Sequence, residues 1–277
     1  MAFGLLIIGD EILSGKRADQ HAPKVIQLLA ERGLSLAWVR LVGDDPQRIT
    51  ADLKDAFASG DIVFSCGGIG ATPDDHTRQC AANALNLPLA LHPVARDLII
   101  ERMRDVAVEK GVVFDPERGD NLHRLNMAMF PQGAEIIPNP YNKIAGFFVR
   151  TPTSSPGSTA GAVYFVPGFP VMAWPMIEWV LDQHCAHLHR EHGQREQSVI
   201  VIGTMEATLT PLMELVEAHH PDVKVFSLPS VDNPQWGPHI ELGVKGDSVA
   251  VASAYALLID GLRDLGTPLG PELVRQI

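Results

Sequence analysis

Carboxylates and a run of glycines carry most of the chemistry this sequence offers. Asp10 and Glu11 sit in Gly9-Asp10-Glu11, and Asp44 sits in Gly43-Asp44-Asp45. Asp74 and Asp75 close the string Gly67-Gly68-Ile69-Gly70-Ala71-Thr72-Pro73-Asp74-Asp75. Carboxylates sharing one crevice repel one another unless a divalent cation neutralises them, and Mg2+-type sites combine one or two carboxylates with substrate phosphates. Glycines let backbone N–H groups close on an anion, and the helix N-terminus that follows favours negative charge. The combination points to cation-assisted chemistry on a phosphate-bearing small molecule. Asp10, Glu11, Asp44, Asp74 and Asp75 are the candidate metal ligands, with Asp44 and Asp75 as the catalytic pair. Gly67, Gly68, Gly70, Thr72, Ser14, Pro167 and Gly168 are the candidate substrate contacts.

Each motif has a plainer alternative. The glycine run is no P-loop, because no Lys-Ser/Thr follows its last glycine, and Pro73 stands where a dinucleotide fingerprint needs its third glycine. A tight turn is the competing reading. Asp also favours helix N-caps. Asp45 is assigned to capping because Pro46 follows it, and Asp75 is expected both to cap the next helix and to ligate the cation. The stretch His184 to His192 places Cys185, His189 and His192 at i, i+4, i+7, a zinc-like spacing if helical. A solvated helix end is the preferred reading, since His suits the C-terminal dipole. Cys66 has no base fixed beside it and is read as a buried strand residue.

These residues need elements to hold them. Phe3–Gly9, Leu34–Val42 and Asp61–Cys66 read as strands. Helical patterns follow each, with apolar faces at Ala22, Val25, Ile26, Leu29 and at Ile49, Leu53, Ala56, Phe57, and a third over Asp75–Asn86. This alternation predicts a mostly parallel sheet flanked by helices, with right-handed crossovers. A helix over 94–109 and a strand over 163–166 are expected later, the latter leading into Pro167-Gly168-Phe169-Pro170 and a helix to about His192. Residues 115–162 read as irregular, with a hairpin tip at 151–161. A polar linker is expected at 191–197. Beyond it, strand 198–203, helix 206–219, strands 223–228 and 239–244, and helix 249–265 predict a β-α-β-β-α module. The expected domains are 1–192 and 198–277. In open α/β sheets ligands bind beyond the carboxyl ends of the strands, which is where all the candidate loops fall.

Composition narrows the partners. The 277 residues are 46% hydrophobic and 20% charged, an ordinary globular balance. Lys+Arg is 22 against Asp+Glu 33, giving a net charge of −11. Such a chain repels phosphate backbones, so nucleic acid and anionic membranes are not expected partners. Three cysteines without a Cys-x-x-Cys pair fit no disulfide framework and suit a reducing cytoplasm. The apolar start at 3–8 is too short for a span and lacks the basic flank of a signal peptide.

At these loops the chain resembles the MoaB/Mog-like molybdopterin-binding fold family, and within it the amino-terminal domain of competence/damage-inducible CinA proteins. The resemblance runs over about residues 1–185, and the following module is similar to the one that follows this domain in CinA. It implies a three-layer α/β/α fold, a pterin or adenine-nucleotide ligand, and a homo-oligomer, a dimer before a trimer. In the Mog-like branch, positions matching Asp44 and Asp75 serve metal-dependent adenylyl chemistry on molybdopterin. In the CinA-like branch the resemblance implies metal-dependent pyrophosphatase activity on ADP-ribose, and a related domain of FAD synthases is associated with FAD hydrolysis. Mg2+ or Co2+ is the implied cofactor, with K+ as a further candidate. The alternative is a non-catalytic pterin- or nucleotide-binding protein linked to molybdenum-cofactor assembly. Ala71 departs from the Pro found in many relatives. The nicotinamide-mononucleotide deamidase domain of full-length CinA has no counterpart in this sequence, so that activity is not expected.

Overall fold

The computed structural model describes residues 1–151, 161–190 and 194–276. Contacts divide the chain into two compact units, 1–28 with 35–187, and 29–34 with 188–277.

The first unit is built on β1 (Phe3–Ile8), an apolar strand buried along its whole length. A strand buried on both faces must sit inside a sheet, and β1 pairs in parallel with β2 (Leu36–Val42) and β3 (Ile62–Cys66). The short helix α1 (Asp10–Leu13) and then α2 (His21–Ala30) lead from β1 to β2. Helix α3 (Pro46–Ser59) leads from β2 to β3. Its N-terminus carries the predicted cap: Asp45 Oδ1 accepts from Arg48 N at 2.8 Å, and Gly60 ends it in the left-handed region at φ 71°. Helix α4 (Thr77–Leu85), the short β4 (Leu89–Leu91) and α5 (Pro93–Glu109) follow.

The middle segment is more ordered than its Pro, Gly and Asn content predicts. It holds α6 (Gly119–Leu125), β5 (Met129–Pro131) paired with β4, β6 (Glu135–Ile137) and β7 (Gly146–Arg150). The hairpin tip expected at 151–161 lies at 152–160 outside the described residues; Thr151 N donates to Gly161 O at 2.9 Å at its base. Then comes β8 (Ala162–Val166) and α7 (Pro170–His184). The sheet order is β2-β1-β3-β8-β7-β6. β3 and β8 are parallel, while β7 runs antiparallel to β8 and to β6. The result is the expected α/β fold with a mostly parallel sheet.

Alternation along the strands assigns the layers. Leu6, Ile8, Val63, Val163 and Phe165 join one core with α3, α4 and α5 through Ile49, Leu53, Phe57, Cys80, Ala81, Ile99 and Met103. Phe147 stacks there between Phe130 and Phe165, with ring centroids 4.6 and 4.3 Å away. Residues of opposite parity face α7: Phe148 stacks on Tyr164 and meets His184 at 4.8 Å.

Helix α7 ends at His184, not near His192. A one-turn helix at 186–188 follows the buried Cys185, so Cys185 and His189 share no helical face, and His192 lies outside the described residues. The expected linker is also shorter, because β9 (Gln194–Ile202) begins inside it. In the second unit α8 (Glu206–His219), β10 (Val223–Ser230), β11 (His239–Asp247) and α9 (Ser248–Asp264) fall where the pattern places them, but a further strand, β12 (Leu269–Gln276), was not anticipated. The sheet is antiparallel, in the order β10-β11-β9-β12. Val199, Val201, Leu242 and Val244 pack with Leu209 and Val216 of α8 and Leu258 and Leu262 of α9. Among the described residues no helix is long and apolar enough to cross a membrane.

Candidate functional site

The carboxyl ends of four parallel strands lie level. Ile8 is opposite Val42, Ile7 opposite Cys66, and Cys66 opposite Val166. Backbone bonds tie the exits together: Gly9 N donates to Val42 O and Gly67 N to Val166 O, each at 3.0 Å. The loops after β1, β2, β3 and β8 therefore meet at one edge.

The first two loops are stapled by their carboxylates. Asp10 N donates to Asp44 Oδ2 at 2.9 Å, and Asp44 N donates to Asp10 Oδ1 at 3.1 Å. A Cβ at position 43 would press on Asp10 Oδ1, one member of this pair. Burial pushes the Asp44 carboxyl above its usual range, with the negative charges of Asp10, Glu11 and Asp74 adding to the effect and the Asp10 N–H opposing it.

The glycine loop is held from below. Gly67 and Gly68 have φ of 107° and 68°, and a Cβ on them would strike Ile8 O and Thr77 Oγ1 respectively. Thr77 N donates to Gly68 O at 3.0 Å and Thr77 Oγ1 to Gly67 O at 3.1 Å. The buried Arg78 donates through Nη1 to the carbonyls of Ile69 and Gly70, the latter at 2.7 Å. Asp75 does not cap α4, contrary to the expectation from the sequence. The helix starts at Thr77, its N-cap position is His76, and no side chain caps it. Asp75 Oδ2 instead accepts from Thr72 N at 2.8 Å and Thr72 Oγ1 at 2.6 Å, closing the 72–75 turn. Among the described residues, the N–H groups of Gly68, Ile69, Gly70 and Ala71 meet no acceptor within the chain.

The loop after β8 is anchored by His21, which is 4% exposed. Its Nε2 lies 3.1 Å from Gly168 O, and since a carbonyl only accepts, Nε2 carries the proton. Asp19 caps α2 beneath it, accepting from His21 N and Ala22 N at 2.8 and 3.0 Å.

A cleft of about 420 Å³ opens between these loops. It brings together Glu11, Asp44, Asp74, Asp75, Gly67, Gly68, Gly70, Thr72, Pro167 and Gly168. The structure places Asp10 and Ser14 elsewhere. Asp10 borders a separate groove with Leu13, Leu41 and Arg48, because its carboxylate is turned into the staple. Ser14 is exposed at the end of α1 and lines neither. Sequence reasoning missed the other wall, which includes Arg17, Met127, Asn142, Ile144 and Met172. Asn139 shapes that wall, donating to Asn142 Oδ1 at 2.8 Å and Ile144 O at 3.0 Å. Asn142 Nδ2 has Met172 Sδ as a partner at 3.3 Å, a weak acceptor that leaves the amide able to serve a ligand. The signal for Arg78 was available: a cation in the first turn of a helix opposes the dipole and calls for another reason to be there.

Comparison with known proteins decides the family. A profile described as "Probable molybdopterin binding domain" matches residues 4–187. The chain belongs to this molybdopterin-binding domain family. A "CinA-like protein" of Anaeromyxobacter dehalogenans (strain 2CP-C) is 29% identical over 265 residues, covering 90% of this chain and 61% of the relative. Another, of Anaeromyxobacter sp. (strain K), is 33% identical over 189 residues, covering 68% and 42%. The chain thus spans 42% to 61% of the length of these curated relatives. A solved CinA structure from Thermoplasma acidophilum, described as of unknown function, shares the fold with a TM-score of 0.52 at 24% identity, over 65% of this chain and 96% of that one.

Within this family domain the chemistry of the donor set is restricted. The four cleft carboxylates offer only hard oxygen ligands, suited to Mg2+ rather than to a soft metal. Among the described residues, no group of three or more His, Cys, Asp or Glu side chains gathers to hold an ion. The cleft thus offers hard oxygen donors but, among the described residues, no protein cage for an ion. Cys66 offers no nucleophile, since full burial pushes its thiol far up. Cys185 is likewise pushed up to about 11 by burial.

Proposed function

We propose that the protein binds a phosphate-bearing nucleotide in this cleft and hydrolyses the pyrophosphate bond of an ADP-ribose-like or dinucleotide substrate with a divalent cation. One observation carries the reading: four N–H groups without an acceptor among the described residues share a cleft with four carboxylates. Preorganised amides aimed where phosphate charge collects need no reorganisation during the reaction. The glycine loop would hold the phosphates, and Arg17 on the rim would pair with a phosphate further out. One or two of Glu11, Asp44, Asp74 and Asp75 would hold Mg2+ or Co2+ together with the phosphates. The cation would add positive charge against the phosphates, beside that of Arg17. Asn142, through its amide, would orient the ring of the ligand against the apolar surface of Met127, Ile144 and Met172.

A second reading is a pterin- or molybdopterin-binding protein without turnover. It is favoured by the family description. One assay separates them. The protein is incubated with ADP-ribose, FAD, NAD or molybdopterin, with Mg2+, Co2+ or neither, and AMP is measured. AMP that appears only with cation supports hydrolysis. Molybdopterin binding with no AMP under any condition supports the second reading.

A further inference from the structure

We propose that Arg78 is a positioning residue for phosphate binding: its buried guanidinium turns the glycine loop so that the loop's amides are free for an anion, and places a positive charge beneath them. The inference rests on the glycine loop being the phosphate site, and adds the residue that makes it one.

The geometry is specific. Arg78 is 3% exposed and holds the carbonyls of Ile69 and Gly70 with one nitrogen, Nη1. In a trans peptide the C=O and the next N–H point opposite ways. Binding those two carbonyls therefore turns the N–H groups of Gly70 and Ala71 away from the guanidinium. Both residues line the cleft, and among the described residues neither N–H has an acceptor in the chain. Without the tether, a loop with two positive-φ glycines has other conformations open to it.

The charge matters as well as the tether. A loop can be pinned by a neutral donor at far less desolvation cost than a buried guanidinium. That burial is costly here: it pulls the Arg78 pKa down, with Asp75 opposing the shift. Among the described residues no carboxylate forms a direct ion pair with Arg78, and its Nε is buried without a partner. Asp75 acts on the guanidinium through its charge, without a direct ion pair. In a cleft lined by four carboxylates and by Arg17, the Arg78 guanidinium is the positive charge that an incoming phosphate meets under the amides.

The test uses the full chain and inorganic pyrophosphate with Mg2+ as the probe. Binding is followed by calorimetry, and the backbone amides of Gly70 and Ala71 are followed by 1H–15N spectroscopy. Arg78→Met keeps the stem and removes donors and charge. Arg78→Lys keeps the charge on a side chain one bond shorter, without the planar fork. Wild type is expected to bind with shifts at both amides. Folded Arg78→Met is expected to bind roughly tenfold more weakly or worse and to lose the Gly70 and Ala71 response. If that variant does not fold, Arg78→Lys is read by the same two measures, with weakened binding and a lost amide response expected. A folded variant with wild-type affinity and wild-type amide shifts overturns the role of Arg78 and leaves the proposed site standing. A wild-type chain that binds no pyrophosphate overturns both.

Discussion

Asp75 shows how one side chain is committed before any ligand arrives. Its Oδ2 closes the turn through Thr72, and a carboxamide oxygen can accept the same two bonds. Asp75→Asn is therefore expected to melt near wild type while cation-dependent AMP release falls by roughly 10²-fold, the scale of removing one well-placed electrostatic group. Asp45→Asn, a change at a cap outside the cleft, is the control and should leave AMP release unchanged. Normal turnover by Asp75→Asn would make its carboxylate structural and favour binding without hydrolysis. Asp44 differs because its ionised form is disfavoured in the fold. A carboxyl with a raised folded pKa stabilises the fold at low pH, and that contribution is lost as pH rises through the folded value. Asp44→Asn keeps an acceptor for Asp10 N and removes the repelling charge. Without cation it should melt above wild type around pH 7, with the difference gone below about pH 4. Melting curves across that range check this, and a variant that melts lower at neutral pH would contradict it.

The loops themselves differ in how much they tolerate. Gly67 and Gly68 have left-handed backbones and no room for a Cβ. Gly67→Ala or Gly68→Ala should cost about 1–3 kcal/mol and disrupt the amide row. At Gly168 an added Cβ would meet Gly67 Cα at an ordinary 3.4 Å, so Gly168→Ala should unfold in urea much as wild type does. Equal losses at all three positions would refute the distinction. The same elements show what the sequence made legible. The β1 to α4 stretch was readable because each strand is a short apolar run and each helix repeats its apolar face, as in Ile49, Leu53, Ala56 and Phe57. The loops with Glu11, Asp44, Asp74 and Asp75 followed from that order. The far wall did not, because β5 and β6 are only three residues long, and β5 gains its strand character from pairing with β4, about forty residues earlier. β12 was hidden by Pro271, which an edge strand accepts where the register shifts between Leu269 and Glu272. The turning of Asp10 out of the cleft depends on a reciprocal bond to a residue 34 positions away, which spacing cannot reveal.

Over the whole molecule, every cleft residue belongs to the first unit, and the second has its own sheet and core. A chain ending after His192 is accordingly expected to retain cation-dependent pyrophosphate binding, measured by calorimetry on a truncated protein shown to melt cooperatively. Loss of binding in such a folded fragment would mean that the second unit contributes to the site. The sheet order has one more consequence, which concerns synthesis. β3 finds its outer neighbour only in β8, and Gly67 N finds its acceptor only in Val166. Roughly a hundred residues separate them, which a ribosome takes about 5–20 s to add. Through that interval the emerging chain carries β1 and β3 with one open apolar edge and an unfinished glycine loop. The ligand site therefore cannot exist before translation has passed β8, and a ligand can assist folding only after that point.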